Sequence, residues 1–380
     1  MVWKKINIKD DKAFAEDSGK DSFFLPKGNA IGDMMLMIRA RNESDHNASD
    51  ACKAETVLEA IEKIEIRAGD RTFQEFSADI GMAWATYRNG IESYCNLSQT
   101  AGGTYAGNFS DGWQEVQIPI NFGRFAGDRR YGLPAPLYTG LEMEITYNFS
   151  GTDANADNAF DAGAAYHRFD LYADIMSHMQ TNSLREMQVI EKKKRRNYTS
   201  LATGSDLIDL TRGKRQMRQL LVRAYKTGVV EGALLSDLQL ECNGKPVFYD
   251  KWRTLQYKNA EECNLEFVRR QLMKANSTTD VYYSTIPDVV PNYTAQATGS
   301  EDVYISTTGD QIALATQTGD DAGILEMLSP VIPACVFIDF DKDLTCRDLL
   351  SQDLDRFQLK INNAGASGAV EFHEMSVVPA

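Results

Sequence analysis

Apolar and polar residues alternate strictly over short stretches of this chain, and the same alternation returns in its second half. In Glu62–Ala68, Ile64, Ile66 and Ala68 fall on one side and Lys63, Glu65 and Arg67 on the other. That period marks a strand with one dry and one wet face. Leu238, Leu240 and Cys242 against Gln239 and Glu241 repeat it, and Ile61, Ile64, Ile66 and Ala68 fall on Leu235, Leu238, Leu240 and Cys242 without a gap. Each stretch then turns on two residues. Gly69-Asp70 suits a type II′ hairpin, whereas Asn243-Gly244 suits type I′. Phe73 and Val247 are expected to continue the dry face on the return strands, and Pro246 puts the second return strand at a sheet edge.

The order of parts repeats as well. Upstream, Leu25-Pro26-Lys27-Gly28 and the apolar run Met34–Ile38 with Arg39-Ala40 echo Leu210-Thr211-Arg212-Gly213 and Leu220–Val222 with Arg223-Ala224. Downstream, Ile120-Asn121-Phe122 echoes Ile338-Asp339-Phe340, and Leu141, Met143 and Ile145 echo Phe357, Leu359 and Ile361. A last strand closes each copy, Phe169–Ile175 and Val370–Val378. Long-range self-similarity of this kind implies two copies of one domain, which points toward assembly.

Helices are few. Ser77–Tyr87 places Ile80, Ala83, Trp84 and Tyr87 at helical spacing, with Asn89-Gly90 as its stop. Asn259 with Glu262 has the spacing of a capping box, and Leu265, Val268 and Leu272 behind it predict a helix running to Ala275. Such helices either cover the mouth of a sandwich or offer an apolar stripe to a partner groove. Two stretches fall outside the repeat: Leu184–Ser205, with its basic run, and the Thr-, Ser-, Gly- and Asp-rich Ser277–Asp321, with strand-like pieces at Val281–Tyr283 and Val303–Ile305.

Each copy thus offers about eight strands, which bury one face each most simply as two sheets packed together. The predicted fold is all-β: two tandem eight-stranded jelly rolls, a double jelly roll, with a few short helices and long loops. The expected boundaries are an N-terminal arm over 1–20, a first jelly roll over 21–186, a linker over 187–205, and a second jelly roll over 206–380 with a long loop at 277–321.

Bulk properties change this picture little. At 380 residues, 43% apolar and 25% charged, the chain has ordinary globular composition. Its net charge of −14 argues against a surface that wraps nucleic acid. The start, Met1-Val2-Trp3-Lys4-Lys5, lacks the apolar run of a secretory signal. Cys52, Cys95, Cys242, Cys263, Cys335 and Cys346 form no C-x-x-C pair, as expected of free thiols in a reducing compartment. Without a signal, the eight N-x-[ST] sequons are a by-product of polar loops.

The pattern resembles the double jelly-roll major capsid proteins of icosahedral viruses, the lineage that includes adenovirus hexon and the tailless membrane-containing bacteriophages. The resemblance rests on Phe24–Gly28, on Ile64–Phe73 and on Ile118-Pro119-Ile120-Asn121-Phe122-Gly123-Arg124-Phe125. It continues in Asp128 with Leu133-Pro134, in Leu141–Tyr147, and in Ile208-Asp209-Leu210 with Leu220–Ala224, so that it runs from about residue 20 to the end. Lys214, Arg215 and Arg218 depart from it by interrupting the apolar opening of the second copy. The resemblance implies a virion protein that forms homotrimeric, pseudo-hexagonal capsomers and tiles a closed shell. Its partners would be itself and neighbouring capsomers. Penton or minor capsid proteins are further candidates, as is an internal membrane reached by the N-terminal arm with Trp3, Ile6 and Ile8. No cofactor, no metal and no sequence-specific nucleic acid is implied.

The basic run Lys192, Lys193, Lys194, Arg195 and Arg196 has two readings, a contact to lipid headgroups or genome on the inner surface, or a solvated linker. Asp153, Asn155 and Asp157 copy calcium-loop spacing, but Asn158 replaces the turn glycine and Ala164 the bidentate glutamate. Enzyme signatures are absent: no phosphate loop, no H-E-x-x-H, no G-x-S-x-G. His46, His167, His178 and His373 are scattered, which argues against the metal cluster of a double cupin. The alternative function is a tandem β-sandwich glycan-binding or viral attachment protein, with Trp84, Trp113 and Trp252 as pocket candidates.

Overall fold

The computed structural model describes residues 2–42, 57–90, 92–97, 113–123, 130–150, 160–163, 165–177, 179–198, 203–210, 216–225, 234–264, 267–275, 280–283, 290–295, 303–308, 311–316, 321–329, 332, 334–341, 357–363, 365 and 368–379. Residues 2–3 and the strands between 267 and 329 are described by their backbone. The first half comprises β1 (Val2–Ala13), β2 (Ser18–Phe24), β3 (Ala30–Arg41), α1 (Val57–Ala60), β4 (Lys63–Ala68), β5 (Arg71–Phe76), α2 (Ala78–Asn89), β6 (Cys95–Asn96), β7 (Trp113–Asn121), β8 (Leu141–Asn148) and β9 (His167–Ser177). After α3 (Thr181–Arg185), the second half opens with β10 (Gln188–Tyr198), β11 (Gly204–Asp209), β12 (Gln216–Tyr225), β13 (Leu235–Cys242), β14 (Lys245–Lys251) and α4 (Trp252–Cys263). Six strands follow: β15 (Phe267–Ala275), β16 (Asp280–Tyr283), β17 (Val290–Ala295), β18 (Val303–Thr308), β19 (Gln311–Thr316) and β20 (Asp321–Ser329). The half closes with β21 (Cys335–Asp339), β22 (Phe357–Asn363) and β23 (Ala369–Pro379).

The two halves share one topology. The first has sheets β1-β9-β3-β7, with β6 at the edge, and β2-β8-β4-β5. The second has β10-β23-β12-β21 and β11-β22-β13-β14. Leaving out β6 and the strands between α4 and β21, the order within each half is first-eighth-third-sixth and second-seventh-fourth-fifth. This is the jelly roll, twice.

The repeated residues occupy the same cross-strand register. Ile64 faces Ile145, Ile66 faces Met143 and Ala68 faces Leu141. Leu238 faces Ile361, Leu240 faces Leu359 and Cys242 faces Phe357. Ile64, Ile66, Leu238 and Leu240 are all buried, each burial stabilising by roughly 1.5–3 kcal/mol. The turns also differ as their sequences require. Gly69 alone has positive φ (57°) in the first, as type II′ demands, whereas Asn243 (51°) and Gly244 (75°) both do in the second, as in type I′. One echo is misplaced. Leu36 faces Ile118 and Val222 faces Val336, which sets Ile38, rather than Ala40, opposite the role of Ala224.

Several expectations are corrected. Residues 2–13 are the first strand of the first jelly roll, paired along β9, and not a free arm. Ile6 and Ile8 pack against the core, and Phe14 is fully buried against Tyr147, Phe149 and Phe169. The 187–205 linker is instead β10 and the start of β11, with β10 paired to β23 from Gln188 to Tyr198. The helix expected to reach Ala275 runs from Trp252 to Cys263 and stops at Asn264, in left-handed conformation (φ 49°). Trp252, Leu255, Gln256 and Asn259 form its buried stripe, so Asn259 faces inward rather than capping. Phe267–Ala275 is strand β15. Val247 is exposed, because a register shift between Leu240 and Glu241 turns Phe248 toward the core instead. Pro246 does lie on an edge strand. The predicted 277–321 loop carries β16–β19, and with β15 and β20 these build two three-stranded sheets, β15-β20-β17 and β16-β19-β18.

The halves are not merely strung together. Lys192 of β10 pairs in parallel with Gln74 of β5. The inner sheet of the first half therefore continues into the second as one eight-stranded sheet, β2-β8-β4-β5-β10-β23-β12-β21. One apolar cluster spans the junction, joining Phe76, Trp84 and Tyr87 to Phe337, Met375 and Val377, while a second lies within the second half.

Candidate functional site

The junction between the halves is where the chain concentrates its buried polar chemistry. Helix α2 leaves β5 and is buried along nearly all its length between β7 and α4. Its end is capped by Gly90 (φ 74°), whose N–H donates to the carbonyl of Thr86 at 2.9 Å. A Cβ at Gly90 would lie 2.9 Å from the Cys263 carbonyl oxygen, so only glycine lets the two helix ends approach this closely. Helix α4 is clamped to β21 by Asn259, whose amide donates to the Phe337 carbonyl (2.9 Å) and accepts from its N–H (2.8 Å).

Contacts across the junction are aromatic and ionic. Tyr87 stacks on Phe337 at 4.1 Å and 16°. Trp84 meets His373 edge-on at 5.8 Å. Arg223 pairs with Asp79 at 2.9 Å. Arg71 donates to Glu191 (3.2 Å), to the Tyr138 hydroxyl (3.1 Å) and to the Pro379 carbonyl (3.0 Å), tying the end of the chain to the first half. Gln74 Nε2 donates to the Ile190 carbonyl at 2.8 Å. Mixed side-chain bonds of this kind fix relative orientation as well as adding stability.

The expected basic site lies in this junction. Lys192 is buried, with its ammonium 5.1 Å from the Trp84 ring centre and 5.5 Å from that of Phe76. Burial pushes its pKa down to about 7, Arg88 and Arg218 add to the fall, and Asp33 opposes it. Lys193 pairs with Glu191 at 3.1 Å, Lys194 with Glu371 and Arg195 with Glu374. Arg196 pairs with Asp206 at 3.5 Å and lies over the Tyr198 ring. Lys192 is turned inward and offers no ammonium to a headgroup, while Arg195 and Arg196 stay exposed. All five residues belong to a paired strand and not to a linker. Alternation hides this in the sequence, because buried acids on β23 and within β10 supply the partners from a distance.

The two histidines among the described residues are packed in the interior. His167 is buried, stacked on Phe149 at 4.1 Å and 11°, and burial pulls its pKa down to about 4 against the pull of Asp17. His373 is also buried and its pKa lowered by burial, opposed by Glu371 at 3.3 Å. For Glu371, burial raises the pKa, but the bonds from His373 and Lys194 outweigh it and hold the carboxyl near about 2. His46, His178 and the Asp153–Asp157 pattern lie outside the described residues. Trp84 and Trp252 are buried in different clusters, and Trp113 is half-buried beneath Arg39. They do not converge on a sugar-binding face. Among the described residues, no group of three His, Cys, Asp or Glu side chains is placed to hold a metal.

The exposed large apolar side chains lie elsewhere. Val247 and Tyr249 project from the edge strand β14, and Tyr257 from the adjoining α4. In the first half Phe24, 70% exposed, ends the edge strand β2. The sequence marked β14 as an edge through Pro246 and gave no such sign for β2.

No protein-family model and no curated protein matches the sequence. Solved structures do match, over the full length. The STIV MCP superimposes with a TM-score of 0.61 at 10% identity, covering 100% of this chain and 97% of the other. The major capsid protein P2 from bacteriophage PM2 gives 0.51 at 11% identity, covering 99% and 98%. A chain of the PBCV-1 virus capsid gives 0.52 at 10% identity, covering 99% and 94%. The chain has the fold of these viral proteins. Two jelly rolls in tandem, as the sequence predicted, are thus found in the topology, and the full-length matches agree with it.

Proposed function

We propose that this chain is a structural major capsid protein that forms homotrimeric, pseudo-hexagonal capsomers in the shell of an icosahedral virion. The observation that carries this is the duplication itself: two jelly rolls of one topology and one register, locked edge to edge. Three such chains around a threefold axis present six similar walls, and a nearly hexagonal block tiles a closed surface. The full-length likeness to viral capsid structures agrees.

The exposed apolar residues supply contact surfaces for the ring. The exposed apolar side chains of the second half (Val247, Tyr249 and Tyr257) differ from that of the first (Phe24), so a head-to-tail contact between copies would join one half to the other and close on itself. It would also cover the open edge of β14, which otherwise invites strand addition. The role is structural rather than catalytic, and the location is the virion shell.

Light scattering on the size-fractionated protein tests this. The expected species has three times the chain mass, and Tyr249→Lys combined with Val247→Glu lowers it to the mass of one chain without loss of β-sheet circular dichroism. A wild-type protein that is monomeric at tens of micromolar would refute the capsomer reading.

A further inference from the structure

A cavity of about 360 Å³ lies at the junction of the halves, lined by Trp84, Tyr87 and Arg88 from α2, Lys192 from β10, Arg218 from β12 and Met375 from β23. Its volume falls within the range of small-molecule sites. Two features distinguish it from a packing gap. Lys192 is 2% exposed, and no hydrogen bond or ion pair reaches its ammonium among the described residues. The indole Nε1 of Trp84, also buried, has no acceptor among the described residues. The neighbouring cations are already served. Arg218 pairs with Asp341 at 3.0 Å, and the Asn121 amide, in the orientation that satisfies both neighbours, accepts from Arg88 (2.9 Å) and donates to Asp33 (3.0 Å).

The remaining acids are poorly placed to neutralise Lys192. Glu262 accepts from the Tyr87 hydroxyl at 3.4 Å, and Asp339 accepts from Gln219 at 2.9 Å while burial pushes its carboxyl upward. Asp33 acts on Lys192 from a distance but is already bonded to Asn121, so the buried ammonium has no hydrogen-bonded counter-charge among the described residues; that is costly, and a ligand oxygen relieves the cost. Apolar wall is available beside it, from the Trp84 and Tyr87 rings, Ile190 and Met375.

We propose that this cavity binds a small amphipathic monocarboxylate, its carboxylate bonded to Lys192 and its aliphatic body laid along Trp84, Ile190 and Met375. Because its walls come from both halves, an occupant bridges them. The site is independent of whether the chain forms shells.

Calorimetric titration of the intact protein at pH 6 with octanoate, 1-octanol, acetate and inorganic phosphate tests it. One octanoate is expected per chain, bound about tenfold or more tightly than 1-octanol, with acetate and phosphate weaker than both. Lys192→Met, which keeps the stem and removes the charge, should weaken octanoate by about tenfold while leaving 1-octanol unchanged. Should that variant fail to fold, the wild-type comparison decides alone. Equal affinity for octanoate and 1-octanol would overturn the role of Lys192. Phosphate as tight as octanoate would reduce the site to a simple anion hole, and the absence of saturable octanoate binding up to millimolar concentrations would remove it.

Discussion

Gly90 and Gly140 have nearly the same backbone, φ 74° and 70°, but different surroundings. A Cβ at Gly140 meets nothing within 4 Å, whereas one at Gly90 strikes the Cys263 carbonyl across the junction. Gly140→Ala should therefore cost only the left-handed penalty, about 1 kcal/mol, and Gly90→Ala at least about 1 kcal/mol more in urea unfolding. Equal losses would mean that the two helix ends do not approach so closely. His167 makes a pH prediction. Its folded pKa of about 4 lies below the unfolded value near 6.5, so its contribution is complete above about pH 6.5 and is lost as pH falls toward 4. His167→Phe, which keeps a ring against Phe149, should flatten that limb by roughly 2–3 kcal/mol in a Tm-against-pH series. The limb belonging to Glu371 lies lower, from about 4.5 toward 2, and should persist. Lys192 shows where residue-level reading stops. Five consecutive cations look wet in a sequence, and only the fold reveals that Glu371 and Glu374 stand beside them.

Elements with strict alternation were legible, down to their turns. Ile64–Ala68 and Leu238–Cys242 fix strand, facing and register together, because a slip of one residue would expose every apolar side chain. β1 and the connecting elements were not, although Pro246 marked the edge at β14. β1 carries four lysines and few buried side chains, so its sequence gives little sign that β9 waits to pair with it. β10 is hidden the same way. α4 was displaced because Asn259 and Glu262 imitate a cap, whereas the inward stripe starts about two turns earlier at Trp252. Because β1 is a member of the first sheet, deleting residues 2–12 opens the β9 edge and uncovers the part of the core that Ile6 and Ile8 cover. The truncated protein should lose several degrees of Tm and aggregate on size-exclusion, whereas an unchanged Tm would restore these residues to the status of a dispensable arm.

For the molecule as a whole, duplication was visible in order and spacing, and that was enough to give the fold and the number of jelly rolls. How the halves meet was not visible, because the joint is made by a single parallel bridge, by α2 against α4, and by side chains far apart in sequence. That joint has a consequence for any larger structure built from this chain. A sheet that runs unbroken from one half into the other resists hinging, so each subunit behaves as a stiff tile with a preset angle between its two walls. Curvature must then be introduced where separate tiles meet, and shells of different radius would differ in those outer seams while the tile itself stays the same.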